Sequence, residues 1–291
     1  VEGTFVSRLR INSDINNPLI SFGDCLQPGI FTLHSKFQNV INYVRDNGLL
    51  SLVTAEIGNG PANIVLQHLS FKSDRRVTVS NNFVTIDQSK FNLIPNKMFI
   101  SKLSYYSIDL SSFENKLCLL EKEVRRCSPL KSYVFLIDET RKKHFVSSFE
   151  KALVDRVQTG WDYFLRKDIS TGMRLIMGSG YGFTPSGDDF IAGISAGISL
   201  IRNLYEIDVC EEVDTIYLNI TTGNVISRNF IFHALRGHFL KKIKDMLQSL
   251  INGDENELIH NSMNVLALGE TSGADFLCGL ICTFKMHEII N

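Results

Sequence analysis

The chain has 291 residues, 44% of them hydrophobic and 21% charged, enough to bury one large core or two modest ones. Thirty basic residues nearly balance thirty-one acidic ones, and a net charge of −1 supplies no electrostatic footprint for nucleic acid; the runs Arg141-Lys142-Lys143 and Lys241-Lys242-x-Lys244 read as solvated surface. The longest uncharged apolar run, 190–201, is far too short to span a membrane, no basic-then-apolar leader is visible at the start, and six cysteines contain no Cys-x-x-Cys, so a cytoplasmic protein with reduced thiols is expected.

In chain order, strands are predicted at 5–11, 18–22, 30–33 and 49–54, where short apolar or alternating runs are broken by Asn, Gly and Pro. Phe37, Val40, Ile41 and Val44 follow an i, i+3, i+4, i+7 pattern closed by Gly48, which predicts one inserted helix over 35–47. Val77 and Val79, then Asn81-Asn82, then 83–86 predict a hairpin. Periodicity turns helical after Phe113, with helices expected at 113–126, 145–166, 187–203, 211–220, 225–236, 239–252, 256–267 and 273–288, and one more strand at 133–137. Strands first and helices afterwards predict an α+β protein, with a strand-rich region over 1–127 and a mainly helical region over 128–291.

Seven of the twenty glycines fall between Gly172 and Gly197, most of them in a phrase running from Gly178 through Gly180, Gly182, Thr184-Pro185-Ser186-Gly187-Asp188-Asp189 to Gly193. The phrase from Ser186 to Gly193 returns at Ser272-Gly273-Ala274-Asp275-Phe276 to Gly279, with five of eight positions identical. Ser-x-x-Asp resembles a capping box, which predicts Ser186 and Ser272 as N-caps and Asp189 and Asp275 at the third helical position. Below each acid lies a stripe of small residues, Gly193, Ala196 and Gly197 on one helix and Gly279, Cys282 and Thr283 on the other. The expectation is that the helices pack along these stripes, or flank one ligand, with the acids converging. Simple capping of two buried helices is the plainer alternative.

A glycine-rich loop feeding a helix N-terminus suits an anion, since free amides and the dipole both favour it. The acids oppose that. The dipole contributes about 0.3–1 kcal/mol, whereas a carboxylate about 4 Å from an anion repels it by roughly 4 kcal/mol at an effective dielectric near 20. A phosphate there needs a cation, and Mg²⁺ on Asp188 and Asp189 is the candidate cofactor, although nothing in the sequence demands it. Arg228 and Arg236, about two turns apart, are the internal alternatives, Arg228 being the one expected to hold a substrate carboxylate. A second loop, Gly58-Asn59-Gly60-Pro61-Ala62-Asn63, reads as a tight turn or as a place where Asn59, Gly60 and Asn63 meet a polar ligand. Dinucleotide, P-loop, zinc-protease and hydrolase-elbow signatures are absent from the sequence.

Taken together, the Gly180–Gly193 phrase, the 49–66 segment with Gly58-Asn59-Gly60-Pro61-x-Asn63, the 222–237 segment, and Leu266-x-x-Gly269-x-x-Ser272-Gly273-Ala274-Asp275 resemble the AllH-type family. The resemblance implies a subunit of oxamate carbamoyltransferase, working with two other proteins in allantoin and purine-nitrogen breakdown. The implied chemistry exchanges a carbamoyl group between oxalurate and phosphate to give oxamate and carbamoyl phosphate. As a mechanistic hypothesis for that chemistry, Asp188, Asp189 and Asp275 are the catalytic candidates. The implied binding residues are Asn59, Gly60, Asn63, Gly180, Gly182, Thr184, Ser186, Gly187, Arg228, Ser272 and Gly273. Two departures matter: Glu270-Thr271 stands where family members usually carry His or Gln, and the Ser-Thr-Arg-Thr phosphate motif of ornithine and aspartate carbamoyltransferases is missing. A non-catalytic scaffold subunit and a stand-alone metal-dependent enzyme acting on a small amide are the alternatives.

Overall fold

A computed structural model describes residues 18–69, 75–87, 89–106 and 108–290; the strand predicted at 5–11 lies outside them. The chain divides between Ile100 and Ser101 into two compact units. The first carries the strands and the second the helices, the α+β organisation expected.

Among the described residues of the first unit, nine strands form one sheet. They are β1 (Leu19–Gly23), β2 (Gly29–Lys36), β3 (Val40–Arg45), β4 (Gly48–Thr54), β5 (Asn63–Leu66), β6 (Arg76–Val79), β7 (Phe83–Ile86), β8 (Ser89–Asn92) and β9 (Met98–Phe99). Their order is β8-β7-β6-β2-β3-β4-β5-β1-β9. The predicted hairpin is β6–β7, with Val79 opposite Val84.

The helix predicted at 35–47 is not formed; its residues complete β2 and make β3. Phe37, which had to join the buried stripe of that helix, is 46% exposed. Val40, Ile41 and Val44 are β-branched and pair with β4 on one side while β3 meets β2 on the other. The stop signal is instead a hairpin turn: Arg45 pairs with Gly48, and Asp46 takes a φ of 52° between them. Asn42 and Ser51 bond across β3 and β4 at 2.7 Å.

Helices of the second unit are α1 (Leu110–Cys127), α2 (Ser148–Leu165), α3 (Ile169–Ile176), α4 (Ser186–Leu204), α5 (Cys210–Leu218), α6 (Val225–Leu235), α7 (Lys241–Asn252), α8 (Glu255–Leu266) and α9 (Ser272–Met286). α1, which the sequence pattern groups with the strand-rich region, lies in this unit. The strand predicted at 133–137 is a 3₁₀ turn, Tyr133–Leu136. Its backbone does not join a ladder because the Tyr133 amide donates to Asp275 and the Tyr133 carbonyl accepts from the Cys278 thiol.

α4 and α9 are buried almost all round and form the centre of this unit. They run side by side in the same direction, with Gly193 against Phe276 and Leu280, Gly279 against Phe190 and Ile194, and Gly197 against Thr283. The small-residue stripes are therefore the contact.

Lys116 of α1 is buried and points its ammonium at the end of α7, donating to the carbonyls of Ile251 and Gly253 at 3.1 Å each. This satisfies carbonyls that the helix leaves without partners. Lys116→Met keeps the apolar stem but orphans them. The expected loss is about 2 kcal/mol, read by urea unfolding of the purified chain.

Candidate functional site

The glycine-rich loop leaves α3 at Ile176 and enters α4 at Ser186. Gly178, Gly180 and Gly182 adopt φ of 70°, 95° and 101°, a left-handed path closed to most side chains. α9 is entered in a related way from α8 through Gly269, at φ 62°. Gly187 and Gly273 serve close approach instead. A Cβ on either would stand 1.9 Å from a carbonyl oxygen of the preceding helix, of Ile176 and Val265 respectively. The repeated Ser-Gly is thus a tight packing of one helix start on the previous helix end.

Neither serine is an N-cap. Pro185 and Thr271 occupy those positions without side-chain caps, and Ser186 and Ser272 begin the helices. Their hydroxyls face across the helix pair instead. Ser186 Oγ lies 3.3 Å from the Thr271 hydroxyl, and Ser272 Oγ lies 3.4 Å from that of Thr184. Asp189 accepts from Thr184 of its own loop at 3.1 Å, with the Ser272 hydroxyl of the other helix nearby. Asp275 accepts the Tyr133 amide on Oδ1 at 2.7 Å, with the Thr271 and Ser186 hydroxyls nearby. Its Oδ2 makes no well-aligned hydrogen bond. Four hydroxyls thus gather where the two helices start, and each acid has near it a hydroxyl from the opposite helix.

Both carboxyls are buried, Asp189 to 3% and Asp275 to 0% exposure. Burial pushes Asp189 up to about 7, helped by the charge of Asp275 and opposed by the Ser272 and Thr184 hydroxyls. Burial likewise pushes Asp275 up to about 7, against the Tyr133 amide and the Thr271 and Ser186 hydroxyls. Each acid therefore holds its proton close to neutrality, chiefly because it is buried.

Stability therefore depends on pH. Between about pH 4 and about pH 7 the folded chain binds protons that the unfolded chain has released, so this contribution is full at the acid end and is lost as pH rises through about 7. The loss is on the order of a few kcal/mol. Glu150, held down at about 2 by the Lys131 ammonium, acts below this window. His287, lowered by burial, works in the opposite sense, so the readout is a difference. Urea unfolding from pH 5 to 8 should show wild-type stability falling relative to Asp275→Asn; a relative rise would overturn the assignment.

Asp188 is used differently. One oxygen accepts the Gly178 amide at 2.8 Å and the other the Thr222 hydroxyl at 2.8 Å, so it ties the glycine-rich loop to the segment before α6. Asn224 adds a bond to the Phe183 carbonyl at 2.6 Å, and Arg228 reaches the Thr222 carbonyl at 3.4 Å. Arg236 is exposed and stacks on Phe232. The donor set does not suit Mg²⁺: Asp188 is occupied by N–H and O–H donors, Asp189 holds its proton near neutrality, and among the described residues no set of three metal-ligating groups forms around them. By contrast, among the described residues the amides of Gly180, Tyr181, Gly182 and Thr184 have no protein acceptor. A proton on Asp189 and on Asp275 removes their share of the repulsion anticipated for an anion at this loop.

Thr184, Ser186 and Ser272 therefore lie beside the acids, Gly187 and Gly273 set the two helix starts, Gly180 and Gly182 shape the loop, and Arg228 is on the Thr222 segment. Asn59, Gly60 and Asn63 lie in the first unit, where Asn59 accepts from Ser21 at 2.5 Å and Asn63 donates to the Gly58 carbonyl at 2.9 Å. The residues 55–62 return the chain so that β5 runs parallel to β4, and β1 passes so close that a Cβ on Gly23 would meet the Gly60 and Pro61 carbonyls at 2.1 Å. Two participants leave no trace in the sequence pattern: Tyr133, which bonds Asp275 through its amide, and Ser179, whose hydroxyl meets the Tyr133 phenol at 2.7 Å. Tyr133 sits in an apolar run with no local mark of a polar role.

Fold and site define an α+β protein built on a parallel helix pair whose repeated Ser-Gly-x-Asp starts enclose a buried carboxyl pair. The chain belongs to the AllH family: the family model described as oxamate carbamoyltransferase subunit AllH matches 176–284, from the end of α3 to α9, and that for the AllH family N-terminal domain matches 14–113. No curated protein and no solved structure matches it. Membership makes it a subunit of a carbamoyltransferase-type enzyme, with other protein partners and small-molecule substrates. Among the described residues no helix is long and apolar enough to cross a membrane.

Proposed function

We propose that this subunit supplies the acid–base pair and the oxyanion-binding loop for carbamoyl exchange between oxalurate and phosphate, in purine-nitrogen breakdown in the cytoplasm with two partner subunits. The observation that carries the proposal is a pair of buried carboxyls titrating near 7 beside amides with no acceptor. The amides of Gly180, Tyr181, Gly182 and Thr184 take phosphate oxygens, and Arg228 takes the oxalurate carboxylate. A phosphate oxygen attacks the terminal carbamoyl carbon of oxalurate. The bond from that carbon to the internal nitrogen breaks, the proton of hydrogen phosphate passes to the pair, and the pair's proton goes to the departing nitrogen. Oxamate and carbamoyl phosphate result, and the pair ends with the proton count it began with. Thr184 and Ser272 stand between Asp189 and the half-exposed edge of the site, so they carry the proton across.

The near-complete burial of both acids favours a second reading, in which they only lock α4 to α9 and a partner subunit does the chemistry. Asp189→Asn in the assembled enzyme separates the two: a transfer rate that collapses supports the first, and an unchanged rate supports the second.

A further inference from the structure

A cavity of about 610 Å³ lies within the second unit at the far end of α4. Arg202, on its wall, is thirteen residues beyond Asp189, about 20 Å along the helix. We propose that this cavity binds a phosphate monoester dianion carrying a flat apolar group, a nucleoside monophosphate in chemical class.

Charge selects the anion. Lys102, Arg202 and Arg236 line the cavity against a single acid, Asp214. Among the described residues none of the three cations forms an ion pair with a carboxylate. Lys102 donates to the Arg236 carbonyl at 2.5 Å, and Arg236 lays its face on the Phe232 ring at 4.1 Å, which leaves its N–H edge for another partner.

Helix dipoles explain why Arg202, in the last turn of α4, and Arg236, at the C-cap of α6, are cations. Lys102 belongs to the same end of α6, its ammonium on the Arg236 C-cap carbonyl, so all three cations gather at helix C-termini that line the cavity. Lys102 is delivered by a short backbone pairing, with the Leu103 amide on the Gly237 carbonyl at 2.9 Å and the Phe239 amide on the Ser101 carbonyl at 3.1 Å. Gly237 keeps this wall thin, since a Cβ there would come within 3.1 Å of the Ser199 hydroxyl.

Tyr105 lines the wall beside Ser199, its hydroxyl buried behind that surface. Size and lining favour an organic ester over the bare ion. An inorganic phosphate fills a small part of this volume, which lies in the range of organic-ligand pockets, and Tyr105 and Tyr217 give aromatic surface for the remainder.

Calorimetric titration of the full chain with AMP, adenosine and inorganic phosphate tests the proposal, using wild type, Arg202→Ala, Tyr105→Phe and Asp189→Asn. AMP should bind more tightly than phosphate, and adenosine should give no heat. Arg202 is exposed, so its loss spares the fold, and Arg202→Ala should weaken AMP by about ten- to a hundredfold. Tyr105→Phe keeps the aromatic wall and should bind AMP as wild type does, and Asp189→Asn should leave binding unchanged. The proposal is overturned by absence of AMP binding, by AMP binding that survives Arg202→Ala, by its loss in Asp189→Asn, which would locate the phosphate at the glycine-rich loop, or by phosphate binding as tightly as AMP.

Discussion

Asp189→Asn should slow carbamoyl transfer by the assembled enzyme about 10²- to 10⁴-fold, the range for loss of a positioned acid–base group. The substitution is nearly isosteric. Its amide oxygen still accepts from Thr184, with Ser272 nearby, so the hydroxyls keep their places and the chain should unfold at nearly the same urea concentration as wild type. What disappears is the ability to take and return a proton between the attacking phosphate and the departing nitrogen. Because Asp189 titrates near 7, wild-type rates should also bend in that region of pH, and the variant's profile should lose the bend. Wild-type rate and profile in the variant would remove Asp189 from the chemistry.

The second large effect is on stability. Gly193→Ala and Gly279→Ala should each destabilise the chain by about 3 kcal/mol, the upper part of the range for overpacking a tight contact. An added Cβ at Gly193 would stand 2.0 Å from the Phe276 carbonyl oxygen, and one at Gly279 would stand 2.1 Å from that of Phe190. Both obstacles are backbone, so relief requires α4 and α9 to move apart. The acids sit at the starts of these same helices, hence their burial should lessen and their titration fall toward the ordinary carboxylate range. Gly223→Ala is the control, since nothing lies within 4 Å of where its methyl would stand. Urea midpoints for Gly193→Ala and Gly279→Ala that stay level with Gly223→Ala would show that the interface yields more easily than its geometry implies.

The helical half is largely legible in the sequence. α1, α2 and α4 to α9 fall on the predicted segments because apolar spacing and flanking Asp, Asn and Gly act within a few residues. α3 is not among them, its eight residues offering barely two turns of pattern. In the sheet, β3 reads as a helix because Phe37, Val40, Ile41 and Val44 have helical spacing; as part of a strand they fall on both faces, and only pairing with β2 and β4, which local spacing does not show, decides for the strand. For the candidate site, the repeat of Ser-Gly-x-Asp identifies both acids and the small-residue stripes. It assigns the serines to their own helix caps, the local option, where the folded chain turns each hydroxyl to the opposite helix.

The sequence by itself determined the α+β class, the helices of the second unit other than α3, the pair of acids and the glycines that let two helices meet. Those follow from side-chain size, backbone freedom and periodicity, all short-range properties. The tertiary structure alone decided that Asp189 and Asp275 are each buried near a hydroxyl of the opposite helix, that Tyr133 gives its amide to an acid 142 residues away, and that Lys102 joins Arg202 and Arg236 around a cavity. Such partners are chosen by which surfaces exclude water together and which buried donors then need acceptors, and neither is written in local spacing.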